Sequence, residues 1–295
     1  MNSLTSTSEQ SSIVEAATGI RADAHIGKLL QAAGKLKPQD MERVLTLQQA
    51  ENLRFGEAAQ KLGLVSEADI RQALSHQFEY PPIPAAEASL SPELTAATAP
   101  YSREAEALRT VRSELLLRWF KEGRKTLAIG SARADEGASY LAANLAVLFA
   151  QMGRKVLLID ANMRQPRQHD IFNLGNGMGL SDILAERVPS LQVHTIKPFQ
   201  TLSVLSAGSP PPNPVELLAR PSFGALLSGL ETSYDIILLD AAPSQLSSDF
   251  QLVAARAGGM LISTRRNVSR LAPLAELKEK ITLTGAQVVG AVVLD

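Results

Sequence analysis

From residue 125 onward, short apolar runs alternate with stretches of helical periodicity, and this alternation constrains the fold more than any other feature. The runs are KTLAIGS (125–131), RKVLLIDA (154–161), LSVLSAG (202–208), YDIILLDA (234–241), GGMLISTR (258–265) and QVVGAVVL (287–294). The longest intervening helical stretch is SYLAANLAVLFAQMG (139–153). A strand that is apolar at nearly every position must be covered on both faces, which a parallel sheet between helical layers achieves. The expected fold class is therefore α/β: a doubly wound, mostly parallel sheet, preceded by a small helical domain.

The helical domain is read from an internal repeat. HIGKLLQAAGKLKPQDMERVLTLQ (25–48) aligns without gaps on RFGEAAQKLGLVSEADIRQALSHQ (54–77). Gly27/Gly56, Gly34/Gly63, Asp40/Asp69, Leu45/Leu74 and Gln48/Gln77 coincide, and so do apolar positions such as Ile26/Phe55 and Leu36/Val65. Each copy reads as a helix stopped at its second glycine, a turn, and a second helix entered through Lys37-Pro38 or through Ser66 with Asp69. Neither copy could bury its apolar face alone, so the two are expected to pack together. Residues 1–20 are polar and expected to be a disordered tail, 21–82 the repeat domain, 83–100 a Pro/Ala-rich linker and 101–295 the α/β domain. A helix is expected to open that last domain near Ser102.

Composition excludes several classes of function. A net charge of −1 and a pI near 6.5 give no electrostatic case for DNA or RNA. The absence of cysteine removes disulfides, thiolate metal sites and cysteine nucleophiles. No stretch is long and apolar enough to span a bilayer, and the first residues do not read as a signal peptide. The expected location is the cytoplasm, with any membrane association through a partner. The four histidines, His25, His76, His169 and His194, form no triad or metal-ligand spacing.

Three segments carry the chemistry. Ser131-Ala-Arg-Ala-Asp-Glu-Gly-Ala-Ser139 follows a strand and opens a helix, where backbone N–H groups and the helix N-terminus can face an anion. The phosphate-loop pattern G-x-x-x-x-G-K-[ST] is only half kept: Gly137 and Ser139 fit, Ala132 holds the first glycine position and Ala138 the lysine position. Taken alone, the segment reads equally well as a structural turn. The other two segments, VLLID ending at Asp160 and IILLD ending at Asp240, each put a carboxylate at the carboxyl end of a buried strand. A lone Asp there is usually a helix cap, but ligands in open α/β sheets bind at that edge, and two such residues favour a Mg²⁺–nucleotide site.

Together these segments resemble the bacterial tyrosine kinases, relatives of the MinD/ParA ATPases. The family's loop reads like S-x-x-P-G-E-G-K-S followed by A-x-N-L-A, and Ser131, Glu136, Gly137, Ser139 and Asn144-Leu145-Ala146 match it. LLIDANMRQP is similar to the family's LLIDADLRRP, and ILLDAAP to its IIIDTPP. Glu106, Arg109 and Arg112 fit its E-x-x-R-x-x-R helix, and Pro212–Leu218 its PNPxELL segment. The resemblance covers about residues 101–295 and implies ATP and Mg²⁺ as cofactors. It implies nucleotide contacts from Ser131, Arg133, Glu136, Gly137, Ala138 and Ser139, catalytic roles for Asp160 and Asp240, and Mg²⁺ ligation by Ser139, Asp160 and Asp240. It further implies homo-oligomer contacts through Glu106, Arg109 and Arg112, and a membrane chain-length determinant protein of exopolysaccharide synthesis and export as partner.

The departures bear on catalysis. Ala138 removes the lysine charge, for which Arg133 is the candidate substitute; Asn162 replaces the second acidic residue; and Asp135 sets a carboxylate by the phosphate path. The last tyrosine, Tyr234, is expected on a buried strand rather than in a phosphorylated tail. The expected function is that of a nominal ATP-dependent tyrosine kinase with a degenerate loop, the alternative being a non-catalytic scaffold or a cyclic-di-GMP-responsive regulator. The second idea comes from the repeat, which resembles the N-terminal domain of type II secretion and pilus ATPases, versions of which bind cyclic di-GMP. Arg54, Gly56, Gly63 and Gln77 match that motif; His25, Gln31, Lys35 and Gln60 depart from it. The competing reading is a helical docking module whose glycines end helices.

Overall fold

The computed structural model describes residues 26–31, 34–51, 53–67, 69–70, 90–121, 123–175, 177–188 and 192–295. The chain divides into two compact units, Met1–Pro82 and Ile83–Asp295. The expected tail, His25, His76, Gln77 and the first part of the expected linker lie outside the described residues.

In the first unit, helical residues 26–31 precede α1 (Pro38–Glu51) and α2 (Phe55–Lys61). Both copies of the repeat stop their first helix in the same way. Gly34 and Gly63 take left-handed φ of +68° and +65°. The Lys35 and Leu64 N–H groups reach back to the Leu30 and Ala59 carbonyls (2.9 and 3.1 Å). This is the Schellman closure, which a Cβ would strain. Ser66 and Asp69 form the expected reciprocal cap: Asp69 N–H donates to Ser66 Oγ (3.1 Å), and Ser66 N–H to Asp69 Oδ2 (2.9 Å). Ile26, Leu30, Leu36, Val44, Phe55 and Val65 form a small shared core drawn from both copies.

The second unit holds a seven-stranded sheet: β1 (Thr126–Ser131), β2 (Val156–Asp160), β3 (His194–Ile196), β4 (Phe199–Leu205), β5 (Ile236–Asp240), β6 (Gly259–Arg265) and β7 (Gln287–Leu294). The order is β3-β4-β2-β5-β1-β6-β7, parallel except for the edge pair β3/β4. Within the central strands, residues alternate between two core layers. Leu127, Ile129, Leu158 and Leu238 pack to one side; Leu157, Ile159, Ile237 and Leu239 pack to the other. The first layer is closed by α3 (Thr95–Thr98), α4 (Arg103–Arg118), α5 (Ala138–Ala150) and α6 (Gln168–Ile171). The second is closed by α7 (Leu180–Leu184), α8 (Pro214–Ala219), α9 (Pro221–Leu230), α10 (Asp249–Ala257) and α11 (Leu271–Leu283). The six expected strands are present; the short β3 escapes a pattern search because its burial is partial. Ser102 caps α4 through its Oγ, which accepts the Ala105 N–H (3.1 Å).

Two expectations need correction. Residues 90–100, assigned to a linker, are packed: Leu94 and Ala96 are fully buried in the first core layer. The cause is Asn144, buried in α5, whose Oδ1 accepts the Ala96 N–H (2.8 Å) while Nδ2 donates to the Glu93 and Tyr140 carbonyls (2.8 and 2.9 Å). Tyr234, expected on a buried strand, sits half-buried in the turn before β5. Asn144→Ala leaves the Ala96 N–H and the Glu93 carbonyl without their side-chain partner, so it should lower unfolding stability by roughly 2–4 kcal/mol in urea titrations. A loss below about half a kcal/mol would show that the staple is not structural.

Candidate nucleotide site

The parallel sheet delivers the carboxyl ends of β1, β2 and β5 to one edge, and there Asp160 and Asp240 lie opposite one another in register on adjacent strands. Both are fully buried. Asp160 accepts backbone N–H groups from Asn162 (3.2 Å) at Oδ1 and from Arg167 (3.0 Å) and Gln168 (2.9 Å) at Oδ2. Asp240 Oδ2 accepts the Gln168 side-chain amide (2.7 Å), which also donates to the Ser139 carbonyl (3.1 Å). Asp240 Oδ1 and Gln168 Oε1 are buried acceptors without a hydrogen-bond partner.

Burial, and then the charge of Asp240, holds the Asp160 carboxyl well above the usual carboxylate range. Burial likewise pushes Asp240 up to about 6, against the opposing effects of Gln168, the nearby Ser139 hydroxyl and the Arg167 charge. The pair is short of positive charge.

Above it the loop between β1 and α5 is shaped by Glu136. Its buried Oε2 accepts the Ala132 and Arg133 N–H groups (2.9 Å each), its Oε1 takes the Ser269 hydroxyl (2.7 Å), and its carbonyl takes the Ser263 hydroxyl (2.6 Å). Gly137 follows at φ +76°, where a Cβ would fall 2.6 Å from Leu294 Cδ1. The first turn of a helix carries N–H groups without intrahelical acceptors, and that of α5 opens onto a cavity of about 470 Å³.

Of the residues expected to contact nucleotide, Ser131, Gly137, Ala138 and Ser139 line this cavity. Glu136 does not: its carboxylate is turned into its own loop, so it positions the backbone. Arg133 does not either: it is exposed and pairs with Asp135 at 3.4 Å. Asp135 does line the cavity, as does Asn162. The Asn162 amide is already spent, accepting the Gln165 N–H (3.0 Å) and donating to its carbonyl (2.8 Å). An aspartate could not donate to that carbonyl, so the amide is matched to its turn.

Sequence reasoning missed Gln168, Arg167 and Arg265. Gln168 joins the two carboxylates to α5, and both arginines line the cavity. No pattern marks a glutamine eight residues past the first aspartate; only contact across strands reveals it.

On α4, Glu106 is exposed, and Arg109 is half-buried, bonded to Glu106 and to the Pro100 carbonyl. Arg112 is buried, with Nη1 on the Leu148 carbonyl at 3.4 Å. Its expected role as a surface contact therefore gives way to helix packing within the chain. In the first unit Arg54 is exposed. Gly56 lies where a Cβ would press on Ile70 (3.2 Å), and Gly63 ends a helix.

Comparison with known proteins matches this arrangement. The putative tyrosine-protein kinase CapB of Staphylococcus aureus is 34% identical over 193 residues, spanning 65% of this chain and 85% of CapB. The chain belongs to the bacterial tyrosine kinases. The solved kinase domain of the Escherichia coli tyrosine kinase ETK superposes with a TM-score of 0.66 at 28% identity, covering 70% of this chain and 80% of that domain. The septum site-determining protein MinD of Pyrococcus horikoshii OT3, solved with Mg-ADP, shares the fold at a TM-score of 0.50 and 22% identity, over 57% of this chain and 69% of MinD. No family model matches the chain. As in the expected fold, this tyrosine-kinase domain is a mostly parallel P-loop sheet with flanking helices. Among its described residues no helix is long and apolar enough to cross a membrane.

The raised carboxyls give the site a pH signature. An acid whose folded pKa is raised holds its proton more tightly when folded, so its stabilisation is full below about pH 4 and is lost as pH rises through about 6. In chelator, Asp240→Asn should therefore stabilise the protein at pH 8 by roughly 1–3 kcal/mol and leave it little changed near pH 4. Denaturant titrations at both pH values would show this, and an equal effect at both would contradict the buried-anion account.

Proposed function

We propose that this chain is the kinase-family component of an exopolysaccharide synthesis and export system, acting beside a membrane chain-length determinant protein. In this reading it self-assembles and holds a Mg²⁺-nucleotide with little or no phosphoryl transfer. The observation that carries the reading is the buried, unpartnered Asp240 Oδ1, on the residue in register with Asp160, beside a phosphate loop whose cation position is the methyl group of Ala138.

The residues present fit the cofactor. Two buried carboxylates in register and an orphaned acceptor favour a hard cation with oxygen ligands. Among the described residues no group of three His, Cys, Asp or Glu could hold a metal, so ligation would draw on Asp160, Asp240, the Ser139 hydroxyl and the nucleotide's own oxygens. Bound Mg²⁺ supplies positive charge to the carboxylate pair and to the phosphate oxygens. The α5 N-terminus and the Glu136-held loop orient the phosphates. Ala138 offers nothing to charge building up in the transition state. Electrostatic stabilisers of that kind typically supply about 3–4 kcal/mol, or hundreds-fold in rate.

The second reading, a scaffold without catalysis, is favoured by the same alanine. One experiment separates the two: measure Mg²⁺-ATP binding and turnover of the wild type beside Ala138→Lys. We expect nucleotide binding with barely detectable turnover in the wild type, and a gain of about ten-fold or more on restoring the lysine. Robust wild-type tyrosine phosphorylation would sink the proposal, and absence of nucleotide binding would leave the scaffold. For the first unit, the packing and helix-ending roles of Gly56 and Gly63 support a docking module. Calorimetry of the full chain should register no heat with micromolar cyclic di-GMP, and a saturable signal would reverse that choice.

A further inference from the structure

If nucleotide binds without the loop lysine, its terminal phosphate needs a cation from elsewhere in the chain. Arg133 does not line the cavity and pairs with Asp135. Arg265 ends β6, on the far side of β1 from the two carboxylate strands, and it also borders an adjoining groove beside α4 and β7. Arg167 is differently placed. Its backbone N–H is fixed to Asp160 Oδ2 (3.0 Å), and its neighbour Gln168 is bonded to the Ser139 carbonyl in the first turn of α5 (3.1 Å). Its side chain lines the cavity together with Gly137, Ala138 and Ser139.

We propose that Arg167 takes over the work of the missing loop lysine by binding the terminal phosphate of a nucleoside triphosphate, and that Glu93 is the anion it leaves to do so. The inference rests on the nucleotide-site reading above. Arg167 Nη2 meets Glu93 Oε1 at 2.7 Å, and both side chains remain about half exposed (49% and 44%). A pair so open to water is held weakly. A terminal phosphate offers a guanidinium two parallel acceptors and a larger charge, so the exchange favours the phosphate.

Glu93 is well placed for this role. Its backbone carbonyl is bound by Asn144 of α5 (2.8 Å), so the segment carrying the carboxylate is pinned to the helix whose N-terminus forms the phosphate site. Glu93 also lines the cavity, where its charge competes with an incoming polyanion. The backbone bond from Arg167 to Asp160 Oδ2 sets the residue beside the carboxylate pair, where Asn162 and Gln165 also line the cavity. There the terminal phosphate and its metal would lie, rather than the inner phosphates cradled by the loop.

The test is equilibrium binding of fluorescent N-methylanthraniloyl-ATP and -ADP with Mg²⁺ to the full chain. Arg167→Gln should weaken ATP by about ten-fold or more and ADP by less than about three-fold. Arg167→Lys, which keeps the charge, should recover most of the ATP affinity, and Glu93→Gln should tighten ATP by about two- to three-fold. Neither change removes the backbone bonds at either position, and matched melting curves would confirm intact folding. The inference falls if Arg167→Gln binds ATP as the wild type does, if Glu93→Gln weakens binding, or if the loss appears in Arg265→Gln instead. A wild type that binds neither nucleotide overturns the nucleotide-site reading, and this inference with it.

Discussion

Two carboxylates buried side by side at the ends of β2 and β5 set the terms for the rest of the α/β unit. Parallel strands with helices on both faces leave their carboxyl ends as one edge, and the register of β2 on β5 makes Asp160 and Asp240 direct neighbours there. Such a pair is costly unless it is hydrogen-bonded, protonated or met by a cation. Asp160 is satisfied by three backbone N–H groups from the turn it begins, whereas Asp240 is left with one free oxygen. Their surroundings differ: one carboxylate organises the turn carrying Arg167 and Gln168, and the other keeps a buried oxygen without a hydrogen bond.

The phosphate loop is built on the same logic with the opposite sign. Glu136, buried inside the loop, takes N–H groups that would otherwise lack partners and ties the loop to β6 through Ser263 and to the following turn through Ser269. The loop's shape is therefore held by these bonds, with no ammonium at position 138. A phosphate cradle can persist as a binding surface after its main source of catalytic charge has gone. Asn162 shows the same accommodation, since its amide closes a turn that an aspartate could not close in the same way.

The fold class was legible because six of the seven strands are apolar at nearly every position. The two core layers explain that lack of alternation: the central strands are covered on both faces. The repeat was legible for a related reason, since helix-ending glycines and a Ser–Asp cap are local chemistry that repeats with the sequence. Residues 90–100 were misread because prolines, alanines and serines resemble a linker until Asn144 is seen to hold them. The burial of Arg112 was not legible, because the same spacing describes a surface stripe and a helix face packed against α5.

By itself the sequence determined the strand and helix order, the edge at which ligands would sit, the two aspartates at that edge and the missing lysine at Ala138. Each follows from local periodicity or from a motif read within a few residues. Only the tertiary structure decided that Glu136 holds the loop rather than the ligand, that Gln168 bridges Ser139 to Asp240, and that Arg167 rather than Arg133 lines the cavity. Most of these are contacts between residues far apart in the chain, such as Gln168 and Asp240 at a separation of 72. Even the local one, Glu136 on its own loop, depends on which way a side chain turns. Distance and direction of that kind are set by how the strands pair and the helices cover them, and no local pattern encodes either.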